Sequence, residues 1–344
     1  MFQNQQRFFA LLPNTDVYCL TTSTRYRTFD FYLIDDKVLG QKNRGGTLIF
    51  GLIANSRKEL FWEELPNLVE WFTRNQVPFI VSDRIAQNQL YPFSKNAYPT
   101  APEHDIPSRC DIVLAIGGDG TFLRAVQVVG EFETPILGVN VGGLGFLTEI
   151  PLDDFAGEFE KILRSEYRVE KRFLLKGMID GDPSPLYALN EILIDKASSV
   201  RVIQIQVEID GQFLNSYISD GLLISTPTGS TGYSLSSGGP IMVPSTNVML
   251  INPVCPHSLT NRPIIIPADA TIKIVTRTEY TSFNVAADGR DVRHCKTRTK
   301  MVIQRAPFSV HLVKPLDSNF FSLLHSKLNW GKDFRDKKRW SHDS

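Results

Sequence analysis

Apolar positions follow two different patterns along the chain, and the change falls near residue 168. Between residues 46 and 168, apolar runs of strand length alternate with segments of helical spacing. Buried strands that alternate with helices are typical of an α/β domain with an open, mostly parallel sheet. The predicted strands are 47–54, 78–82, 111–116 and 135–140, and the predicted helices are 58–75, 121–129 and 153–165.

Residues 169–315 carry short strands with turn signals in place of helices, which predicts an all-β C-terminal domain. Asp210-Gly211 lies between two of these strands and is a strong hairpin signal. The predicted strands are 173–179, 186–195, 202–209, 213–218, 221–225, 263–266, 271–276, 282–287, 301–304 and 309–313.

The remaining segments have weaker patterns. Residues 1–45 show no clear period and end in a linker-like stretch at 41–46, so they form an extension without an assigned role. Residues 91–108 are rich in proline and polar groups and are predicted to be a loop. In the last segment, 316–344, we expect a helix at 317–328 that packs back on the first domain, followed by a solvated basic tail.

Composition excludes several classes of function. The 344 residues suffice for two domains, and 37 basic residues balance 37 acidic ones, which leaves no electrostatic footprint for nucleic acid. No apolar run approaches 18 residues, so no membrane span is expected. Four scattered cysteines are typical of a reduced, cytoplasmic protein, and those near His257 and His294 fit no standard zinc spacing.

The strongest chemical signal is a glycine-rich loop, Gly117-Gly118-Asp119-Gly120-Thr121, between a predicted strand and a predicted helix. Glycines let the backbone approach a phosphate closely, and the start of a helix favours an anion. An ordinary turn with an aspartate cap accounts for Asp119 alone but not for three glycines around it. The loop therefore predicts a phosphate-binding site, and a second glycine-rich loop at 142–145 follows the next strand.

Two further motifs carry polar groups into apolar surroundings. Asn190 and Glu191 stand side by side in a predicted strand, so one of them must face a polar group or solvent; such a pair suits an adenine edge or ribose hydroxyls, and a turn or an exposed edge is the alternative. The segment 219–240 concentrates hydroxyls and glycines behind a buried strand, where a sugar or a base could bind. A flexible Ser/Gly linker is the alternative, but Pro227 and Tyr233 are unusual in linkers.

These motifs, in this order, resemble the NAD kinases. The resemblance covers roughly residues 47–315, and the segment 252–259 and the Asp288-Gly289 turn strengthen it. It implies an α/β domain joined to a β-rich domain with NAD bound between them. It also implies transfer of a phosphoryl group from ATP, or from polyphosphate in some members, to the 2′-hydroxyl of the adenosine ribose. A divalent ion such as Mg²⁺ would accompany the nucleotide, and the chain would form a homodimer or homotetramer.

The resemblance also implies roles for individual residues. Asp119 matches the proposed general base, within the loop of Gly117, Gly118, Gly120 and Thr121. The residues expected to bind NAD are Asn190, Glu191, Arg201, Asp220, Thr231, Gly232, Tyr233, Ser234, Leu235, Ser236, Asp288 and Arg290.

The chain departs from the family pattern at three positions. Ile218 stands where many members have a basic residue, Gly232 where many have Ala, and Arg290 where a Gln is common. Two other functions stay open: a lipid or sugar kinase, since a Gly-Gly-Asp-Gly motif also occurs there, and a non-catalytic NAD sensor. The phosphoryl donor, the use of NADH and the oligomer are not fixed by the sequence, and Asp119 could instead order the loop or the phosphates.

Overall fold

The structure, a computed structural model, describes residues 48–87 and 98–330, and the backbone alone of three strands nearer the amino terminus. Those strands are β1 (Arg7–Leu11), β2 (Val17–Thr22) and β3 (Phe29–Ile34), which pair antiparallel. The predicted linker at 41–46, residues 91–97 of the predicted loop and the basic tail at 332–339 lie outside the described residues. In the part that the structure describes, no helix is long and apolar enough to cross a membrane.

A parallel sheet with helices on both faces follows, as predicted. One face packs on the first and fourth helices and the other on the third, because each of these helices presents an apolar stripe. The strands are β4 (Phe50–Ala54), β5 (Phe79–Ser82), β6 (Thr100–Ala101), β7 (Ile112–Gly117), β8 (Ile136–Asn140) and the short β9 (Ile150–Pro151). The helices are α1 (Glu59–Arg74), α2 (Asp83–Ala86), α3 (Asp119–Val129) and α4 (Phe155–Leu163).

The order of the parallel strands positions the glycine-rich loop. The strands lie in the order β6, β5, β4, β7, β8, so the chain builds outward in one direction from β4 and in the other from β7. In open α/β sheets, ligands bind at such a switch point, beyond the carboxyl ends of the strands. Residues 117–121 lie there, at the end of β7 and the start of α3.

The rest of the described chain is β-rich, as predicted. Two sheets pack face to face around a core of aliphatic side chains. Their strands are β10 (Tyr167–Ile179), β11 (Leu186–Ala188), β12 (Glu191–Asp195), β13 (Ile203–Ile209), β14 (Gln212–Ser219), β15 (Gly221–Ser225), β16 (Val248–Val254), β17 (Ile264–Pro267), β18 (Ile272–Arg277), β19 (Ser282–Ala287), β20 (Asp291–Lys296) and β21 (Lys300–Pro315). Two helices complete it, α5 (Tyr233–Ser236) and α6 (Phe320–Leu328).

The two halves share one sheet. The last strand, β21, pairs parallel with β8 through Leu312 and Val313, which lie opposite Ile136 and Leu137. Near its start, the same edge of β21 pairs antiparallel with β18, and its other edge pairs antiparallel with β10. The parallel sheet therefore runs directly into one sheet of the β-rich half, and twelve strands hydrogen-bond in one continuous array.

Several strands were not predicted from the sequence. The three strands in residues 1–45 are runs of aromatic and β-branched residues separated by polar ones, a signal too short to read as a period. Strands β16 and β20 were also missed, because Asn252 and Pro253 interrupt one apolar run and charged residues alternate along the other. The two strands predicted at 301–304 and 309–313 are one strand, β21. A turn of 3₁₀-helix, Glu103–Ser108, lies in the predicted loop.

Candidate active site

One pocket is lined by residues from both halves of the chain. Asp119 and the residues after β8 form one side, and the hydroxyl-rich loop with Asn190 forms another. The end of β21 and α6 close a third side. The lining residues are Asp119, Phe146, Leu147, Glu149, Arg168, Glu170, Arg172, Asn190, Thr228, Thr231, Gly232, Pro244, Lys314, Ser318, Phe320 and Leu323.

The Asp119 carboxylate is held by the loop that follows β8. Its Oδ2 accepts the backbone N–H of Phe146 at 2.9 Å. Its Oδ1 accepts the backbone N–H groups of Leu147 and Thr148 at 3.0 and 3.2 Å, and the Thr148 hydroxyl at 3.1 Å. Four donors thus fix the carboxylate at the first residue of α3, and both oxygens have partners.

The glycines of the two loops serve different purposes. A Cβ at Gly117 would lie 2.2 Å from Thr121 Oγ1, and one at Gly145 would lie 2.0 Å from Asp119 Oδ1, so these two glycines are needed for internal packing. A Cβ at Gly118 or Gly143 would meet open space within 4 Å. The glycines with open space beside them are therefore those that a ligand could approach.

The strand predicted at 186–195 is broken at Leu189 and Asn190. The carboxylate of Asp288 accepts the backbone N–H groups of Leu189, Asn190 and Glu191 at 2.9, 2.8 and 3.2 Å. Because the backbone bends there, Asn190 and Glu191 do not alternate between faces, as a regular strand would require. A Cβ on Gly232 would lie 3.3 Å from Glu191 Oε2 and 3.4 Å from Asn190 Nδ2, so both side chains converge on that residue.

Asn190 and Glu191 carry buried oxygens without a partner among the described protein atoms, namely Asn190 Oδ1 and Glu191 Oε2. Burial raises the pKa of Glu191 to about 8, and the charge of Asp288 acts in the same direction. Burial also raises the pKa of Asp288 to about 6, although three backbone N–H groups and Arg290 oppose the increase. A buried polar atom without a partner costs free energy, so these oxygens favour a ligand with hydrogen-bond donors.

The hydroxyl-rich segment is folded and is not a linker. A 3₁₀ turn, Thr228–Thr231, is followed by α5. The Ser230 hydroxyl donates to the Pro227 carbonyl at 2.7 Å and accepts the backbone N–H of Met242 at 2.9 Å. Of the predicted site residues in this segment, Thr231 and Gly232 line the pocket. Ser234 is buried against Asn252, Tyr233 and Ser236 are exposed, and Leu235 is half-buried.

Among the predicted site residues outside the pocket lining are four with charged side chains that pair elsewhere in the protein; Gly117, Gly118, Gly120, Thr121 and Glu191 also lie outside the lining. Arg201 is exposed and pairs with Glu279. Asp220 lies at the opposite end of β15 from the hydroxyl-rich loop and forms an ion pair with Lys196 at 2.7 Å. Asp288 is buried behind Asn190, and Arg290 donates a hydrogen bond to the carbonyl of Gly120.

A row of charged side chains lines the pocket and was not among the predicted site residues. Arg168, Glu170 and Arg172 alternate along β10, a spacing that places all three on one face of a strand. Burial would raise the pKa of Glu170, but hydrogen bonds from Arg168 and the charge of Arg172 bring it below its ordinary value. Arg168 also donates to the carbonyls of Pro315, Leu316 and Ser318. These hydrogen bonds hold the turn before α6 against β10.

The sequence of this chain matches two family models. The model of the ATP-NAD kinase N-terminal domain matches residues 50–167, and that of the ATP-NAD kinase C-terminal domain matches residues 189–315. The chain belongs to the NAD kinase family. A NAD kinase of Solibacter usitatus is 36% identical over 285 residues, which are 82% of this chain and 97% of that protein. A NAD kinase of Bacteroides fragilis is 45% identical over 228 residues, 65% of this chain and 78% of that protein.

Two solved structures share the fold. The yeast NADH kinase complexed with NADH has a TM-score of 0.75 at 23% identity, covering 89% of this chain and 91% of that one. The NAD kinase from Archaeoglobus fulgidus in complex with ATP has a TM-score of 0.66 at 22% identity, covering 82% of this chain and 99% of that one. The predicted fold class and the resemblance to the NAD kinases are confirmed.

The NAD kinase resemblance implies a divalent ion with the nucleotide. The side chains near Asp119 determine whether such an ion could bind there. Among the residues that the structure describes, no three His, Cys, Asp or Glu side chains come together as a metal cage. Mg²⁺ usually keeps several waters and binds one or two carboxylates together with substrate phosphates. Asp119 is the carboxylate at the switch point that suits such an ion, which would then be held mainly by the phosphates of the donor.

Proposed function

We propose that this chain transfers the terminal phosphoryl group of ATP to the 2′-hydroxyl of the adenosine ribose of NAD and so forms NADP. The observation that carries the proposal is the meeting of Asp119 with Asn190, Thr231 and Gly232 at one pocket. Support comes from the relatives, which are named NAD kinase, and from the structure of a related kinase in complex with ATP.

Asn190 and Glu191 are proposed to bind the adenosine. Their unpartnered oxygens need hydrogen-bond donors, and an adenosine offers an exocyclic amine and ribose hydroxyls. The raised pKa of Glu191 leaves its carboxyl largely protonated near neutral pH, so it can also donate to a ligand oxygen. Thr231 and Gly232 close the same side of the pocket, and Asp288 positions the pair through their backbone.

Asp119 is proposed to accept the proton of the ribose hydroxyl as phosphorus approaches the oxygen. Phosphoryl transfer depends on positioning and charge neutralisation, and general-base help contributes about 10² to 10⁴ in rate. The hydrogen bonds from residues 146–148 hold the carboxylate in one orientation, which favours this use. They equally support the rival role, in which Asp119 orders that loop, and the two roles are separated by experiment below.

The finer properties of the enzyme are part of the proposal. Mg²⁺ would neutralise charge on the donor phosphates when bound. The enzyme is proposed to act in the cytoplasm as a homodimer or homotetramer. Its domains are proposed to be 46–168, with the glycine-rich loop, and 169–315, with the adenosine site, flanked by 1–45 and 316–344. Arg201 and Asp220 stay candidate ligands of NAD, although both now pair with other charged residues.

The proposal is tested by measuring NADP formed by the purified chain with Mg²⁺. ATP and inorganic polyphosphate are compared as donors, and NAD and NADH as acceptors. Phosphorylation of diacylglycerol and sphingosine is measured in parallel. NADP formation from NAD with no lipid product is the expected result. Lipid phosphorylation would show a different kinase, and NAD binding without NADP from either donor would show a sensor, so each would overturn the proposal.

A further inference from the structure

Three arginines gather beside the first turns of α3, outside the pocket that contains Asn190. Arg124 lies four residues after Gly120 in α3, so the two share one face of the helix. Arg290, from the turn between β19 and β20, donates a hydrogen bond to the Gly120 carbonyl. Arg84 lies in α2, directly after β5. Three distant parts of the chain therefore bring a guanidinium group to this place.

One buried carboxylate lies among these arginines. Glu103 is 3.4 Å from Arg124 and 3.5 Å from Arg84, and its side chain is 11% exposed. Burial lowers the pKa of Arg124, Glu103 raises it, and the charges of Arg84 and Arg290 lower it further. The carboxylate of Asp288 also interacts with Arg290, so three positive charges face two carboxylates and leave a surplus of one in this group.

A purely structural role accounts for only part of the arrangement. Arg124 donates to the Ala54 carbonyl at 2.7 Å and pairs with Glu103, which suffices to hold it in place. Arg84 adds little to that role, because its side chain is 61% exposed. Like charges repel, and the surplus raises the cost of folding unless an anion offsets it. The structure thus keeps more positive charge here than its internal ion pairing uses.

The position of the arginines indicates the anion. They lie beyond the carboxyl ends of β4, β5 and β6, at the edge of the sheet where ligands bind in α/β folds. Gly118, with open space beside it, and Gly120, which Arg290 contacts, flank Asp119 in the chain. Guanidinium groups bind phosphate oxygens through paired hydrogen bonds, and Arg124 retains a buried Nε without a protein partner.

We propose that Arg84, Arg124 and Arg290 bind the phosphate chain of the phosphoryl donor. The ligand class is a chain of linked phosphates, either a nucleoside triphosphate or inorganic polyphosphate. The inference rests on the proposed function and assigns its donor subsite. In the reaction, the bond from the terminal phosphorus to its bridging oxygen breaks and a bond to the ribose 2′-oxygen forms. The shortened phosphate chain leaves, and the hydroxyl proton passes to Asp119.

The test compares Arg84→Gln, Arg290→Gln and the double variant with wild type. Glutamine keeps a hydrogen-bonding group of similar length and removes the charge, and both positions are accessible enough to tolerate it. Arg74→Gln is the matched control, since that arginine is exposed at the end of α1 and pairs with Glu70. The measurements are KM for ATP, KM for polyphosphate, KM for NAD, and calorimetric binding of inorganic tripolyphosphate.

Each single variant is expected to raise the KM for the donor and weaken tripolyphosphate binding by about tenfold, because a charge-assisted hydrogen bond is lost. The KM for NAD and the Arg74→Gln control should stay within about twofold of wild type. NADP formation with an unchanged donor KM in the double variant would overturn the inference and leave the proposed function intact. Tripolyphosphate binding that needs these arginines, in a chain that makes no NADP, would support the subsite and overturn the proposed function. In wild type, the donor that supports NADP formation identifies the natural occupant.

Discussion

At the scale of single residues, the candidate site combines two carboxyl groups in opposite environments. Asp119 lies at the start of a helix and accepts four hydrogen bonds. Glu191 is buried, has an oxygen without a partner, and keeps its proton to higher pH. Under the proposed function, Asp119 would take the proton of the ribose hydroxyl while Glu191, which keeps its own proton, binds the ligand.

Asp119→Asn is expected to lower kcat by about 10² to 10⁴, because an amide cannot take the proton. The KM for NAD should change little, since the amide oxygen can still accept the N–H groups of Leu147 and Thr148 and so hold the side chain in place. Steady-state kinetics and a thermal melt measure both. Thr148→Val is the control, because it removes one hydrogen bond to Asp119 and leaves the carboxylate. If Asp119 only orders the loop, the two variants will lose similar activity.

Stability should fall as pH rises because of Glu191 and Asp288. Both have native pKa values above their ordinary ones, so between the two values the native state holds a proton that the unfolded chain has lost. Glu191 alone contributes up to about 1.4 kcal/mol per pH unit from near 4.5 to about 8. In Glu191→Gln, the decline above pH 6 should disappear. Urea unfolding from pH 5 to 9 measures it, and parallel curves for the two proteins would contradict the assignment.

At the scale of elements, the break between β11 and β12 places Asn190 on the side of the pocket that is proposed to bind the adenosine. The sequence predicts one strand through Asn190, because local pattern favours strand on both sides of it. The carboxylate of Asp288, nearly a hundred residues later in the chain, accepts the backbone N–H groups of residues 189–191 and so interrupts the strand. Local patterns therefore predict that a strand exists there, and a contact distant in sequence determines where it bends.

Asp288→Ala should destabilise the protein and raise the KM for NAD. It leaves three N–H groups without their acceptor, at about 1–3 kcal/mol for each one that stays buried. Asp288→Asn is the matched variant, since it keeps one acceptor oxygen and tolerates the positive φ of 50° at this residue. We expect its losses in urea unfolding and in KM to be about half as large. Equal losses in both variants would show that the negative charge of Asp288, and not its acceptor oxygens, causes the effect.

At the scale of the whole molecule, the site depends on contacts between the loop after β8 and the end of β21. Glu149 follows the residues that hold Asp119, and it binds Lys314 of β21 and Ser318 of the next turn. The sequence predicts the two fold classes and the glycine-rich loop, because these are local patterns. It does not predict that β21 returns to β8, because that pairing joins residues far apart in the chain.

Lys314→Met should be strongly destabilising, by about 3–5 kcal/mol, because it leaves the Glu149 carboxylate buried without its cation. The double variant Glu149→Gln, Lys314→Met should recover part of that loss. Urea unfolding of the four proteins in a double-mutant cycle measures the coupling. Additive losses would show that the pair contributes no coupling, and the role assigned to it would then be wrong.

The pairing of β8 with β21 has a consequence for biosynthesis. The edge of β8 at Ile136 and Leu137 stays uncovered until the ribosome has made Val313, because β9 pairs only with Val139 and Asn140 and β21 comes far later in the chain. An emerging α/β segment with an open edge is exposed to wrong pairing in the meantime. A nascent chain arrested before β21 should therefore stay sensitive to protease and bind chaperones, and release of the full chain should end both.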